Sequence, residues 1–381
     1  MRILHVIEGL GRGGAERRLV NDLVYLCTNG FQHEVCALGR DRALVREIEA
    51  LGIPVHEVGL ERLSEWRTAL PRLRALVEAR HFDLVHSQLF WADCYARVIA
   101  RRRRIPSLVT LQSSAYQPGE FLYSHKRHAV ERFMGRWSGC HYVAVSAYVR
   151  RSAIRHLHVS ESRVSLIYNS VDLARFRHID ETAVQRLRDE LGLRPDDQVL
   201  LMVGRMDPPK GHRVLLAALS LLRKRGSGVR VLLVGQGVLE PQLKMFVREH
   251  QLESLVTFLG NRQDIPELLA ASDVYVFPTK CEGFPLTVLE AMAMGKPCLA
   301  SRIGPIEEII ERDGEDGYLV DDHRPEAWAA AIERVLHDAN RMRVGQRGQA
   351  IVRQRFSAQR QAEAMGHLYH QLVGGEGVTS S

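Results

Sequence analysis

The sequence predicts an α/β protein with two domains, each built on a doubly wound parallel sheet. Short apolar runs alternate with amphipathic helical segments along most of the 381 residues, which is typical of a parallel sheet with helices on both faces. The pattern begins again near residue 199, after a charged helical stretch at 173–197 that we interpret as the interdomain connection. We therefore expect domains at 1–178 and 179–356, each large enough to bury a core.

The first predicted strand, Ile3–Ile7, leads through a glycine-rich loop, Gly9–Gly14, into an amphipathic helix. The loop fits G-x-G-x-x-G, the fingerprint of dinucleotide-binding proteins, which also requires an acidic residue at the end of the second strand. Asp41 is the nearest candidate, and it lies beyond that strand. The loop can equally cradle a phosphate or let a sugar approach the backbone, so both interpretations stay open. Further strands are predicted at 34–38, 55–58, 84–86, 107–111, 141–145 and 164–167.

The second half begins with a strand at 199–203, a loop at Gly204–His212 and a helix from about residue 214. Arg205 and Lys210 flank the tight turn in this loop. Two cations beside the backbone amides of a helix start form a suitable site for a diphosphate. The alternative is that both are solvated loop cations. Further strands are predicted at 231–234 and 256–259, each followed by a glycine-containing loop.

The most informative segment, Phe277–Ser301, has the pattern strand, loop, helix, strand. Pro285 suits the first turn of the helix, so the backbone donors of 283–287 point out of the helix end, where they attract anions or hydroxyl oxygens. Glu282 lies just before the helix and Glu290 lies on it. The two carboxylates can therefore hold two parts of one ligand. Alternatively, Glu282 only complements the helix dipole and Glu290 only faces solvent.

Composition is that of an ordinary globular α/β protein, with 45% hydrophobic and 25% charged residues. The apolar run at the N-terminus is too short for a signal-peptide core or a membrane span, so we expect a buried strand and a cytoplasmic protein. Six scattered cysteines without a C-x-x-C pair favour core thiols over disulfides or a zinc site. No Asp-x-Asp follows a predicted strand, so we expect no metal cofactor.

Positive charge is concentrated in residues 1–178, which contain 27 Lys and Arg against 17 Asp and Glu. This asymmetry indicates an anionic partner. Nucleic acid is disfavoured, because the sequence has no aromatic-basic RNA signature, zinc finger or helix-turn-helix pattern. The anionic inner face of a membrane is the other candidate partner. The residues alone favour solvated arginine-rich helix faces over this peripheral contact. The stretches concerned are Arg101–Arg104, 62–81 with Trp66, and 123–137 with Phe133 and Trp137.

Four short motifs together resemble those of the retaining glycosyltransferases of family 4. The resemblance spans nearly the whole chain and is more specific in the second half. It implies the GT-B fold, with two Rossmann-like domains facing a central cleft and a C-terminal helix at 357–373 crossing back to the first domain. The motifs are E-x7-E at Glu282 and Glu290, G-R-x…K-G at 204–211, G-G-A-E at Gly13, Gly14, Ala15 and Glu16, and a turn at Asn169–Asp172 that matches N-G-V-D with Ser170 in the glycine position.

The resemblance implies that the second domain holds a nucleoside-diphosphate sugar, UDP- or GDP-linked, as the co-substrate. By the family's arrangement, Arg205 and Lys210 hold the diphosphate and balance the charge of the departing nucleotide. Glu290 then binds the ribose, and Glu282 binds the transferred sugar. The other donor-binding candidates are Gly13, Gly14, Gly204, Gly235, Gly237, Asn261, Gly283, Phe284, Pro285, Leu286 and Thr287.

The resemblance places the acceptor in the first domain, near Glu16. His86 ends a predicted strand, where open α/β sheets place ligand contacts, and it is a candidate catalytic residue, although a lone histidine is more often structural. The family commonly has histidines at the positions of Gln88 and Gln112. Glutamine can still orient a sugar hydroxyl, because it both donates and accepts hydrogen bonds.

The predicted function is hexosyl transfer with retention, without a metal, to a glycan or lipid-linked acceptor, in bacterial-type cell-surface polysaccharide or glycolipid synthesis. Three other functions stay open. A sugar-nucleotide epimerase of related fold would use the same diphosphate cradle. A non-catalytic sugar-nucleotide-binding protein would be consistent with Gln88 and Gln112. A dinucleotide-dependent oxidoreductase would rest on Gly9, Gly11 and Gly14 alone.

Overall fold

The chain folds into two compact units. The structure is a computed structural model that describes residues 1–11, 13–27, 30–114, 117, 123–177 and 179–374. Unit 1 contains Met1–Ser170 together with the chain from Ala358 onward, and unit 2 contains Val171–Ser357. The boundary that the sequence suggested, after residue 178, lies inside unit 2 by this division.

Unit 1 is built on a seven-stranded parallel sheet with the strand order β3-β2-β1-β4-β5-β6-β7. The strands are rich in buried aliphatic residues, because helices cover both faces of a sheet of this kind. The order reverses between β1 and β4, where Ile7 pairs with Gln88, and ligands of open α/β sheets bind at such a point. The strands are β1 (Arg2–Ile7), β2 (Gln32–Ala37), β3 (Val55–Glu57), β4 (Leu84–Gln88), β5 (Ser107–Leu111), β6 (His141–Ala144) and β7 (Val164–Leu166).

Among the residues that the structure describes, six α-helices, a π-helical turn and a 3-10 turn (Glu161–Arg163) connect these strands. Because parallel strands run in the same direction, the helical segments between them carry the chain back to the end of the sheet at which the strands begin. The third to fifth helices pack side by side in chain order. The helices are α1 (Gly14–Leu26), α2 (Val45–Glu49), α3 (Trp66–Arg80), α4 (Phe90–Arg103), α5 (His125–Ser138) and α6 (Ala147–Ser152), and the π-helical turn is Ala153–Leu157.

Unit 2 repeats the architecture with a six-stranded parallel sheet in the order β10-β9-β8-β11-β12-β13. Its strand order reverses between β8 and β11, where Leu201 pairs with Tyr275. The ends of these two strands lead into the two segments that the sequence singled out. The strands are β8 (Val199–Val203), β9 (Arg230–Val234), β10 (Val256–Gly260), β11 (Val274–Phe277), β12 (Cys298–Ser301) and β13 (Tyr318–Val320).

The predicted connection at 173–197 lies within unit 2, so residues 173–177, expected in the first domain, belong to the second unit. It contains α7, whose Leu187 is buried and which packs against α10. Because Leu187 is the one buried residue of this charged helix, the composition did not indicate that the helix packs against α10. The helices of unit 2 are α7 (Glu181–Glu190), α8 (His212–Lys224), α9 (Glu240–Glu249), α10 (Ile265–Ala271), α11 (Leu286–Ala293), α12 (Gly304–Glu307), α13 (Pro325–His337) and α14 (Arg341–Arg355).

The last helix, α15 (Ala358–Gly374), belongs to unit 1 and packs against α1. Its Met365, Leu368 and Tyr369 share one buried cluster with Ile3 and Leu26. Two parallel-sheet α/β units, with a terminal helix that returns to the first, confirm the predicted fold class.

All six cysteines are free thiols, and Cys36, Cys140 and Cys298 are buried. Burial raises the pKa of the Cys36 thiol to about 12, so this sulfur stays protonated. In the part of the chain that the structure describes, no helix is both long enough and apolar enough to span a membrane.

Candidate active site

The loop after β8 is packed directly against the loop after β11. Gly211 has φ +80° in the N-cap position of α8, and a Cβ atom added there would lie 1.9 Å from the carbonyl oxygen of Pro278. The backbone N–H of Lys280 donates to the carbonyl of Pro209 at 2.7 Å. Only glycine allows this approach, because an L side chain is strained at that φ and has no space. The loops after β8 and β11 are therefore packed together within unit 2.

Lys210 and Glu282 meet at this junction. The Lys210 Nζ lies 2.5 Å from Glu282 Oε1, and the side chains are only 21% and 10% exposed. The hydroxyl of Thr279 donates to the same carboxylate oxygen at 3.0 Å. The ammonium group also lies 5.6 Å from the centre of the Phe277 ring. The Lys210 ammonium and the Glu282 carboxylate are thus in direct contact at the carboxyl ends of β8 and β11.

Arg205 lies nearer to solvent, with its side chain 72% exposed, and its guanidinium is 3.0 Å from the Asp207 carboxylate. An ion pair this exposed contributes at most about 1 kcal/mol. Arg205 can therefore turn to an incoming anion at little cost, whereas Lys210 is already held in place. The structure brings both predicted cations to the loop after β8, each beside a carboxylate.

His212, which the sequence analysis did not single out, is the first residue of α8 and is 1% exposed. Neither ring nitrogen has a hydrogen-bond partner within the described residues. Burial, with a further contribution from the charge of Lys210, lowers the pKa of His212 to about 4, so the ring is neutral at physiological pH. The sequence offered no signal for this beyond its position after the Lys-Gly pair.

Tyr275 connects β11 to the end of β8. Its hydroxyl donates to the carbonyl of Val203 at 3.2 Å. Burial raises the pKa of Tyr275, a hydrogen bond with the Thr287 side chain lowers it, and the charges of Cys298, Glu290 and Glu282 raise it. Both glutamates of the E-x7-E motif therefore act electrostatically on the same buried hydroxyl.

Helix α11 begins at Leu286, after Pro285 in the N-cap position. Gly283, Pro285 and Phe284 are buried, and the Phe284 ring packs edge-on against Phe356 at 5.3 Å. Phe284, expected as a donor-binding residue, is therefore a core residue by its contacts. Leu286 and Thr287, in the first turn of α11, are partly exposed and are better placed to meet a ligand.

Two further glycines bring the loop after β9 onto the loop after β8. A Cβ atom at Gly235 would lie 2.1 Å from the carbonyl oxygen of Gly204, and one at Gly237 would lie 2.6 Å from that of Met206. Asn261, after β10, donates to the side-chain oxygen of Gln236 at 2.9 Å. The predicted donor-site loops of unit 2 are therefore contiguous at the carboxyl end of its sheet.

In unit 1, the predicted acceptor-side residues lie at the carboxyl ends of β1, β4 and β5. Gln112 donates to the buried Gln88 at 2.8 Å. The Glu16 carboxylate folds over Gly13, where a Cβ atom would lie 2.3 Å from Oε2, and α1 begins at Gly14. The two amides therefore form one hydrogen-bonded pair at the carboxyl ends of β4 and β5.

Glu8, which follows β1, is a candidate that the sequence analysis missed. Its Oε1 accepts a hydrogen bond from the backbone N–H of Trp91, in the first turn of α4, at 2.8 Å. Burial raises the pKa of the Glu8 carboxyl, while the Trp91 amide and the charge of Arg127 oppose that shift. A carboxylate next to the strand-order reversal of unit 1 is well placed to accept a hydrogen bond from a ligand hydroxyl.

His86 lies inside unit 1, 2% exposed, rather than at its surface. Its Nδ1 is 2.8 Å from the Tyr369 hydroxyl and its Nε2 is 2.7 Å from the Thr110 hydroxyl. Burial, with the charges of Arg18 and His33, lowers the pKa of His86 to about 3. Both ring nitrogens are engaged, which favours a structural role in joining β4, β5 and α15 over the predicted catalytic one.

Two family profiles match adjacent parts of the chain. The profile described as Glycosyltransferase Family 4 matches residues 12–175, and the profile of Glycosyl transferases group 1 matches residues 184–350. The chain belongs to the family 4, group 1 glycosyltransferases. This confirms the resemblance inferred from the motifs and makes the protein a glycosyltransferase.

Relatives of this glycosyltransferase include the putative glycosyltransferase EpsD of Bacillus subtilis, 28% identical over 89% of each chain. Another is the UDP-Gal:α-D-GlcNAc-diphosphoundecaprenol α-1,3-galactosyltransferase of Escherichia coli, 29% identical over 71% of this chain and 70% of that enzyme. The crystal structure of HepE from Anabaena with UDP and glucose has a TM-score of 0.86 at 24% identity, covering 97% of this chain and 99% of that one. That likeness shows the fold.

Proposed function

We propose that this glycosyltransferase moves a hexosyl group from a UDP- or GDP-linked sugar to a glycan or lipid-linked acceptor with retention at the anomeric carbon. The bond between the anomeric carbon and the diphosphate oxygen breaks, and a bond to the acceptor hydroxyl oxygen forms on the same face. The acceptor proton passes to the departing diphosphate oxygen. The reaction needs positive charge that acts more strongly as the diphosphate leaves.

The contact between Lys210 and Glu282 is the observation that carries the proposal. It joins a cation suited to a leaving diphosphate with a carboxylate suited to the hydroxyls of the transferred sugar, 2.5 Å apart. Such a pair fits a ligand that has a phosphate and a sugar as neighbours. Arg205 and the first turn of α11 supply further positive potential around it.

Metal independence and same-face attack remain part of the proposal. Arg205 and Lys210 carry the charge that a divalent ion would otherwise supply. A covalent intermediate would need Glu282 as the nucleophile, yet its Oε1 receives hydrogen bonds from both Lys210 and Thr279, which lower its nucleophilicity. We therefore favour proton transfer to the leaving phosphate over double displacement.

The acceptor class and cellular role are proposed from relatives. The Escherichia coli relative acts, by its name, on a diphosphoundecaprenol-linked sugar, and unit 1 of this chain is strongly basic. We infer a role in cell-surface polysaccharide or glycolipid synthesis, in the cytoplasm at the inner membrane face. Glu8, Glu16, Gln88 and Gln112 are the acceptor-side candidates in unit 1.

The first test is a thermal-shift series with UDP, GDP, ADP, CMP and NAD on the parent, Lys210→Ala and Glu290→Ala. A ligand at a hundred times its dissociation constant stabilises the folded state by about 2.7 kcal/mol. We expect one nucleoside diphosphate to stabilise the parent and neither variant. Lys244→Ala and Glu253→Ala, exposed positions elsewhere in unit 2, serve as matched controls and should respond like the parent.

The nucleotide that binds then selects the sugar donors for a transfer assay, with the product anomer read by NMR and the rate compared with and without EDTA. An inverted product contradicts retention, and a rate abolished by EDTA contradicts metal independence. A changed sugar configuration without an acceptor indicates an epimerase instead. If NAD alone stabilises the parent and stabilises both variants to the same extent, the proposed function is contradicted.

A further inference from the structure

Helix α5 is firmly oriented in unit 1. Its Glu131 is fully buried and forms a bidentate ion pair with Arg97 of α4. The distances are 2.8 Å from Nη1 to Oε1 and 2.5 Å from Nη2 to Oε2. The Tyr142 hydroxyl donates to the same carboxylate at 3.2 Å. Met134 and Gly135 are buried beside it. The opposite side of α5 is therefore exposed because the fold orients it so, not because the helix packs loosely.

That exposed side carries large apolar groups. Phe133 is 65% exposed and Val130 is 41% exposed, and Trp137 completes a stripe at helical spacing. The guanidinium of Arg101, from α4, lies 5.1 Å from the centre of the Trp137 ring. A shallow depression of about 590 Å³ borders the stripe, lined by His128, Ala129, Arg132, Phe133, Arg136 and Trp137.

The exposed charges of α5 have one sign. Helix α5 carries Lys126, Arg127, Arg132 and Arg136, and its single acidic residue is the buried, paired Glu131. The exposed Arg101–Arg104 end α4 beside it, and Arg103 among them is paired with Glu78 of α3. We define the basic–aromatic face as Arg101 of α4 with Lys126, Val130, Arg132, Phe133, Arg136 and Trp137 of α5.

We propose that the basic–aromatic face docks onto the surface of an anionic lipid bilayer. Phe133 and Val130 enter the boundary between headgroups and acyl chains, while the flanking arginines remain among the lipid phosphates. A helix lying flat with an aromatic stripe between cations fits this boundary. A second copy of the chain is a poor occupant, because it would bring two basic surfaces together.

An acidic protein is the other occupant with suitable charge. Flotation with vesicles of pure lipid separates the two occupants, because no acidic protein is present in that assay. Docking stands on unit 1 alone. Its consequence, delivery of the enzyme to a lipid-linked acceptor, rests on the proposed function.

The test is vesicle flotation with phosphatidylcholine alone and with added phosphatidylglycerol. The face variant is Phe133→Ser with Arg136→Glu. The matched control is Met342→Ser with Arg343→Glu on α14 of unit 2, where Met342 is 57% exposed, so both double variants lose one exposed apolar side chain and reverse one charge. We expect the parent and the control to float with anionic vesicles only. The amount of face variant that floats should be at least about tenfold lower.

Phe133→Ser alone, which changes no charge and replaces a side chain that is 65% exposed, provides a second measurement if the double variant does not fold. Equal flotation of face and control variants, binding of the parent to neutral and anionic vesicles alike, or no binding by the parent would each overturn the proposal. Donor response in thermal shift is measured on the same proteins. If the parent shows no thermal-shift response to any nucleoside diphosphate, the proposed function is contradicted, whereas the docking result still stands.

Discussion

Lys210 and Glu282 show how a site residue acquires its properties from a partner far along the chain. The sequence named both residues, one beside a loop glycine and one before a helix. Only the folded chain places Nζ 2.5 Å from Oε1. Under the proposed function, a diphosphate bound here shares Lys210 with Glu282, so the contact affects both the charge that faces the leaving group and the position of the carboxylate.

Replacing Lys210 with methionine keeps most of the side-chain stem and removes the charge. Because a hydrogen bond to a charged group contributes about 1.5–3 kcal/mol, we expect the affinity for the nucleoside diphosphate to fall by about 10- to 100-fold. Isothermal titration calorimetry measures it. Lys244→Met, which removes an exposed lysine paired with Glu240 on α9, should keep the parental affinity. Equal affinities for the parent and Lys210→Met would exclude Lys210 from the diphosphate site.

His141 predicts a pH-dependent contribution to stability. Burial, with the charge of Arg163, lowers the pKa of His141 from 6.5 to about 4. Above pH 6.5 the ring is neutral in both states. As the pH falls from 6.5 towards 4, the unfolded chain takes up a proton that the folded chain does not, so the folded state loses stability.

By pH 5 this loss amounts to about 1–2 kcal/mol. In His141→Gln it is absent, so the variant's free energy of unfolding should decrease less than the parent's between pH 7.5 and pH 5. Urea unfolding at both pH values measures the difference. A parent and variant with parallel pH dependence would show that His141 titrates normally in the folded chain.

At the scale of elements, close backbone approach between loops explains several glycines. Gly211, Gly235 and Gly237 lie where a Cβ atom would meet a carbonyl of the neighbouring loop within 2.6 Å. Their role is therefore to let the loops after β8, β9 and β11 touch. The family motif contains Gly211, but its spacing does not reveal that Pro278 is the residue it touches.

Gly211→Ala and Gly226→Ala separate this packing from ordinary backbone strain. Both glycines have positive φ, +80° and +86°, yet a Cβ atom at Gly226 meets nothing within 4 Å. Each variant carries a strain of about 1–2 kcal/mol. Only Gly211→Ala must also move the Pro278 loop, so we expect it alone to lose the thermal-shift response to the nucleoside diphosphate. A normal response in Gly211→Ala would show that the junction tolerates displacement.

At the scale of the whole molecule, the same architecture occurs twice, and each sheet reverses its strand order once, between β1 and β4 and between β8 and β11. Ligand-facing loops gather at such points because neighbouring connections leave in opposite directions. The acceptor-side candidates of unit 1 and the donor-side candidates of unit 2 both lie there. Binding should therefore be local to specific loops in each unit.

Hydrogen exchange of the full chain tests that locality. With saturating nucleoside diphosphate, we expect slower amide exchange at 204–212 and 279–290 in unit 2 and unchanged exchange in α5 of unit 1. The reason is that the bound ligand restricts opening of the segments it contacts. Lys210→Met at the same nucleotide concentration is the control. Protection confined to the glycine-rich loop 9–14 would move the nucleotide site to unit 1.

The sequence by itself determined the fold class and the family, and it predicted the segments of the proposed donor site. Alternating apolar strands and amphipathic helices, a local property, fix a parallel sheet with helical crossovers, and motifs such as Glu282 and Glu290 have fixed spacing. Tertiary structure alone decided burial and long-range contacts. It placed His86 in the core between Tyr369 and Thr110, exposed Phe133 and brought Lys210 to Glu282. Side chains distant in sequence meet only when the sheets assemble.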